Sequence, residues 1–133
     1  MRFMAIVKPG KDYEAGKPPS PGLMAAMGKL SQENQKLGIF VMGGGLLPSA
    51  HGHKVHMTGG KITVTDGPFA ETKEVIGGFA ILNYAGHEQA IAGARQVMQI
   101  HAEHGVTDLE IELRPMMEPG ECGAQIPQQA SAA

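Results

Sequence analysis

Gly77-Gly78-Phe79-Ala80-Ile81-Leu82-Asn83-Tyr84, read together with the segment that follows it as far as Pro115, decides the fold. Phe79 to Leu82 is apolar without alternation, the pattern of a strand buried on both faces. From His87 to His104 the residues Ala90, Ile91, Ala94, Val97, Met98 and His101 recur on one helical stripe, and Gly105 stands where a helix stops. Leu109, Ile111 and Leu113 then alternate with Asp108, Glu110, Glu112 and Arg114, the period of a strand with one wet face. This second half reads as strand, helix, strand.

The same unit stands at the start of the chain. Arg2 to Val7 is a second apolar strand, ended by Lys8-Pro9-Gly10, and a loop runs from there to Ser20. Ser20 can cap a helix whose first position takes Pro21. Leu23, Met27, Leu30 and Leu37 place that helix at Pro21 to Leu37 with one apolar face, and Gly38 is its stop. Ile39 to Met42 is a short strand running into Gly43-Gly44-Gly45, where a bulge is expected. Lys54 to Thr58 and Lys61 to Thr65 are joined by Gly59-Gly60, a two-residue link suited to a tight hairpin because glycine accepts positive φ.

The order predicts an α+β, ferredoxin-like βαββαβ domain over residues 1–115, with the hairpin as an insert and both helices on one face of a four-stranded antiparallel sheet. Residues 116–133, rich in Pro, Gly and Gln, read as a flexible C-terminal tail. The uncovered sheet face is expected to expose an apolar patch that a two-fold pairing removes, which predicts a homodimer. Met24, Met27, Met42 and Met98 are expected to fill the core.

Composition narrows the function. The chain has 133 residues, 42% apolar and 18% charged, enough for one core. Lys and Arg number 11 against 13 Asp and Glu, with no block of like charge, which argues against direct nucleic-acid binding and against an anionic membrane as main partner. One cysteine, Cys122, allows no intrachain disulfide and suits a reducing compartment. No apolar run approaches the roughly 18 residues of a membrane span, and the opening apolar stretch is too short for a signal peptide, so a cytoplasmic protein is expected.

The densest polar segment is Asp66-Gly67-Pro68-Phe69-Ala70-Glu71-Thr72-Lys73-Glu74. Asp66 closes a strand and opens a rigid turn, either fixing a carboxylate beside a cleft or bonding its own turn backbone. Glu71, Lys73 and Glu74 supply titratable groups for acid–base work, or form a solvated charged rim. His51, His53 and His56 lie close in sequence, but His53 and His56 fall on opposite faces of a strand and no Cys or carboxylate completes a set, so no metal is expected. His101 reads as a hydrogen-bonded residue on the apolar stripe, and His104 as a cation near the helix end. Gly43-Gly44-Gly45 lacks the Lys-Ser or Lys-Thr and the following helix of a phosphate loop.

The block from Asp66 to Glu74, with Gly77-Gly78-Phe79 behind it and Gly43-Gly44-Gly45-Leu46-Leu47-Pro48 ahead, resembles the DGPF branch of the YCII-related proteins over about Met1 to Pro115. The resemblance implies chains paired as a dimeric α/β barrel, whose wider superfamily includes lactone isomerases and monooxygenases working between sheet and helices, usually without metal. It also implies a His–Asp pair as the site of YCII-type relatives. Asp66 matches the aspartate, and the helix from Pro21 to Leu37 has no histidine where such relatives often carry one. A regulatory partner related to extracytoplasmic-function sigma factors is implied as well.

Two functions follow as expectations. One is a cofactor-independent enzyme acting on a small polar organic molecule, with Asp66 as acid–base residue, Lys73 as anion partner, and Glu71 or Glu74 as second carboxylate. The other is a non-catalytic dimeric ligand-binding or regulatory module in which the same turn orders the hairpin.

Overall fold

The two strands that are apolar throughout lie side by side in the middle of the sheet, where both faces can be covered. The computed structural model describes residues 1–69 and 74–118. Its elements are β1 (Arg2–Pro9), α1 (Lys11–Glu14), α2 (Pro21–Lys36), β2 (Phe40–Gly45), a 3-10 turn (Ser49–His51), β3 (His53–Thr58), β4 (Lys61–Asp66), β5 (Gly78–Asn83), α3 (His87–Glu103) and β6 (Leu109–Pro115). The main sheet has the order β2-β5-β1-β6 with every neighbour antiparallel, the ferredoxin-like arrangement.

Alternation along β1 and the register decide what meets the helices. Ala5 lies opposite Ala80 and Leu113, and Val7 opposite Gly78 and Ile111. These residues border the same interior space as Met27 and Leu30 of α2 and Ala94 and Val97 of α3, so both long helices cover this face. Phe3, 1% exposed, anchors one end of it, with the rings of Tyr84 and His87 edge-on at 6.4 and 5.2 Å. Burying such a ring contributes about 1.5–3 kcal/mol. Among the described residues it is the single large side chain so enclosed.

Local signals place the two long helices to within a residue. The Ser20 hydroxyl accepts a hydrogen bond from the Leu23 amide at 3.1 Å, and Pro21 occupies the first turn of α2. The helix ends at Lys36, one residue early, so Leu37 points into solvent rather than extending the apolar face, while Leu23 and Leu30 are buried. On α3 Ala90 is buried, but Ile91 at the stripe's margin is exposed. His101 Nδ1 is bonded to the Val97 carbonyl and His104 Nδ1 to the Ile100 carbonyl, both at 2.8 Å. Met24 and Met42 are also exposed, correcting their assignment to the core: Met24 lies off the Leu23–Leu30 face, and Met42 lies opposite Ile81, across from the helices. The β2 register shifts between Phe40 and Met42, ahead of the glycines where a bulge was expected. The stretch after β1, expected to be loop, contains the single helical turn α1.

The opposite sheet face carries Met4, Ile6 and Ile81, half-buried, and a charged margin on β6. Lys8 Nζ lies 3.0 Å from Glu112 and 3.5 Å from Glu110, and Arg114 Nη1 lies 2.9 Å from Glu112.

β3 and β4 form a separate two-stranded sheet. Gly59 and Gly60 turn the chain with φ of 58° and 81°, which sets Thr58 opposite Lys61, Val55 opposite Val64 and His53 opposite Asp66. One side of this hairpin therefore carries Val55, Met57, Ile62 and Val64, which are 62–70% exposed, and the other carries Lys54, His56, Thr63 and Thr65.

Candidate functional site

Register alone brings two chemistry-bearing residues together at the base of the hairpin. Six residues before Gly59 along β3 is His53, and six residues after Gly60 along β4 is Asp66. His53 Nδ1 lies 2.7 Å from Asp66 Oδ1. An ionised carboxylate can only accept, so a neutral imidazole bonded this way donates from Nδ1 and leaves Nε2 with a free lone pair. The two side chains are 66% and 80% exposed. Pairs so exposed add little to stability, and the geometry matters here for the direction it gives the ring.

The strand ends that carry the pair are fixed by a network reaching across the chain. The Gly67 amide donates to the Gly52 carbonyl at 2.9 Å, tying the residue after Asp66 to the residue before His53. Ser49, 8% exposed, sits beneath them. Its amide and hydroxyl donate to the two carboxylate oxygens of Glu14 at 2.8 and 2.5 Å, and its oxygen accepts from the Phe69 amide at 3.1 Å. A Cβ on Gly67 would lie 1.7 Å from the Ser49 carbonyl oxygen, so only glycine lets the two turns meet. The Gly67–Pro68 bond is cis. α1 thus serves the site by delivering Glu14.

The other side of β3 borders a cleft of about 500 Å³ under the hairpin base, lined by Leu46, Pro48, His51, Lys54, Phe69 and Glu74 among others. Lys54 Nζ stands 4.4 Å from the centre of the Phe69 ring, a cation–π contact. Neither His53 nor Asp66 lines this cleft. A second cavity, of about 350 Å³, lies between the main sheet and α2 and α3.

The candidates chosen from sequence fall in different places. Asp66 pairs with His53 on the apolar side of the hairpin, while Glu74 is exposed and borders the cleft on the Lys54 side. Glu71 and Lys73 lie outside the described residues, as do Cys122 and residues 119–133 of the expected tail. Sequence reasoning missed His53 as the partner of Asp66, and it missed Glu14. The first was legible in the two-residue turn, which fixes every cross-strand pair; the second had no local signal, because Glu14 and Ser49 are 35 residues apart. Among the described residues no group of three or more His, Cys, Asp or Glu side chains gathers as a metal site, and no helix is long and apolar enough to cross a membrane.

A match to an uncharacterised protein of Rhizobium meliloti (strain 1021) is 33% identical over 78 residues, covering 57% of this chain and 60% of that relative, so the chain spans less than two thirds of the relative's length. The model of the YCII-related domain matches residues 1–112, which takes in the whole main sheet except its last few residues, both long helices and the His53–Asp66 hairpin. The chain belongs to the YCII-related domain family.

Proposed function

We propose that the protein is a cofactor-independent enzyme that moves a proton on a small polar organic molecule, with His53 Nε2 as general acid–base and Asp66 as the group that orients the ring. The single observation that carries this reading is the 2.7 Å contact of His53 Nδ1 with Asp66, which leaves Nε2 open on an exposed surface. Proton transfer needs a group titrating near neutral pH and held within hydrogen-bond reach of its target, and imidazole is the side chain whose ordinary pKa meets the first condition. Asp66 therefore becomes the orienting residue rather than the proton carrier. Glu71 and Lys73 are assigned to substrate charge, whereas Glu74 borders the cleft on the opposite side of β3 from the pair and takes no part in this proton transfer.

The proposal extends to assembly. The half-buried apolar row on the open sheet face and the bare apolar side of the hairpin support a homodimer of the dimeric α/β-barrel kind, with the hairpin as an insert. The Asp66-Gly67-Pro68-Phe69 block supports placement in the DGPF branch, and the cysteine and charge content supports a cytoplasmic site of action. A second reading rests on the exposure of the pair in a single chain: a non-catalytic accessory module, linked to sigma-factor-dependent transcription, in which His53–Asp66 only closes the hairpin.

Deuterium exchange at the acidic C–H positions of a panel of oxo acids, hydroxy acids and lactones, followed by NMR, tests the enzyme reading. Exchange by the wild type that is lost in His53→Ala supports it. Exchange that persists unchanged in both His53→Ala and Asp66→Asn removes the pair from the chemistry.

A further inference from the structure

The cleft under the hairpin base has walls that backbone contacts hold in place. The Leu46 amide donates to the Gly77 carbonyl at 2.9 Å, which ties the stretch after β2 to the stretch before β5. Leu46, Pro48, Val75 and Ile76 line the cleft from these two stretches, and the Phe69 ring lies against Gly52, 3.7 Å from where a Cβ would stand. Val75 is buried, whereas Leu46 and Ile76 remain 44% and 40% exposed, so apolar wall is left for another molecule to cover. The volume of about 500 Å³ falls within the range of small-molecule sites.

Two charges of opposite sign line this same cleft. Lys54 is half-buried on β3 with its ammonium over the Phe69 ring, and Glu74 is exposed. They do not pair with each other, and among the described residues neither side chain makes a hydrogen bond or an ion pair. Lys8 and Lys17, by contrast, each reach a carboxylate. An ammonium drawn partly out of water against an aromatic ring keeps donors to spare and gains from an anionic partner. Ser49 also lines the cleft, but its polar atoms are taken up by Glu14 and the Phe69 amide.

We infer that this cleft binds a small α-amino acid with an apolar side chain: Lys54 donates to its carboxylate, Glu74 accepts from its ammonium, and Leu46, Pro48 and Ile76 cover the side chain. A simple carboxylate would answer Lys54 but bring a second negative charge toward Glu74, and a simple amine would do the reverse. A zwitterion satisfies both. The site is separate from the His53–Asp66 pair, which lies on the other side of β3 and lines no part of the cleft, so it stands whether or not that pair is catalytic.

The test uses the full chain with three probes: L-phenylalanine, 3-phenylpropanoate, which lacks the ammonium, and 2-phenylethylamine, which lacks the carboxylate. Binding is read by calorimetry and by NMR shifts of the Leu46 and Ile76 methyl groups. The inference expects saturable one-to-one binding of L-phenylalanine that shifts these methyls and is about ten-fold tighter than that of either analogue, the worth of one charge-assisted hydrogen bond. Lys54→Met, which keeps the length of the side chain, should remove the preference over 2-phenylethylamine, and Glu74→Gln the preference over 3-phenylpropanoate. His53→Ala should change none of these values. Absence of saturable binding of L-phenylalanine up to its solubility, or binding that leaves the Leu46 and Ile76 methyls unshifted, overturns the site. An analogue that binds as tightly as L-phenylalanine, or preferences unchanged in both variants, overturns the zwitterion assignment. If Lys54→Met fails to fold, Glu74→Gln, at an exposed position, and the methyl shifts decide the matter.

Discussion

The sheet-and-helix body and the hairpin spend the same residue types in opposite ways. In the body, Phe3, Ala5, Leu23, Leu30 and Ala90 are buried, and the fold depends on them. In the hairpin, Val55, Met57, Ile62 and Val64 stand largely in solvent, and its two strands pair only with each other. An isolated two-stranded hairpin is marginal in water, so the apolar side of this one contributes little to the folding of a single chain. What it does is hold the His53–Asp66 register, while the Ser49–Glu14 network anchors its base. Folding free energy is concentrated in the body, and the chemistry on the proposed reading is concentrated in the hairpin.

The sharpest way to break this division is His53→Ala. Removing a general acid–base should lower turnover about 10²- to 10⁴-fold, while the melting temperature stays close to wild type. A variant that melts early would instead make the pair structural. Phe3→Ala is the counterpart in the body, expected to cost about 3–5 kcal/mol in denaturant unfolding. A loss under about 1 kcal/mol would mean that the Phe3 cluster is not the anchor of the core.

Ser49→Ala probes the joint between the two regions. It leaves the half-buried Phe69 amide and the Glu14 carboxylate short of a partner each, an expected loss of about 1–3 kcal/mol, together with slower turnover as the strand ends loosen. Equilibrium unfolding and kinetics on the same sample separate the two effects. Val64→Ser, on the bare side of the hairpin, should change the stability of the single chain by less than about 0.5 kcal/mol and weaken self-association measured by sedimentation. A large loss of stability at a concentration where the chain is monomeric would show that this side is packed after all.

The smallest expected effect lies on the far sheet face. The Arg114 and Lys8 hydrogen bonds to Glu112 hold its carboxyl below the usual carboxylate range, and the Glu112 contact first, with Glu110 assisting, holds Lys8 above the usual lysine range. A lowered carboxyl pKa stabilises the fold above the unfolded value and loses that contribution as pH falls through the folded value. A raised lysine pKa stabilises below the unfolded value and loses its contribution as pH rises through the folded one. Both contributions are therefore present at neutral pH, and both are small because the groups are solvent-exposed. Glu112→Gln should flatten the acid limb of the stability–pH curve slightly and leave turnover unchanged.

The body was legible because its signals are local and redundant. The β1 and β5 runs are apolar on both faces, Ser20-Pro21 caps α2 through a bond that the structure contains, and β6 alternates along its length. Errors arose where a single residue stands at an edge. Leu37 matched the helical spacing but lies beyond the last turn, and Met24 and Met42 were judged by residue type rather than by face. α1 is a single turn with no apolar period to detect. Asp66 was singled out from its turn, while the histidine bonded to it was overlooked because the histidines were compared along one strand instead of across the hairpin. The Glu14–Ser49 link and the cavity between sheet and helices are products of tertiary packing, and no short stretch of sequence encodes either.

The most direct test of the central claim is the tautomer of His53, read by ¹⁵N NMR of the imidazole at a pH where the ring is neutral. The account predicts a proton on Nδ1 and an unprotonated Nε2 in the wild type, with this preference lost in Asp66→Asn. A wild-type His53 carrying its proton on Nε2, or a tautomer indifferent to Asp66→Asn, contradicts the pair and the acid–base role built on it.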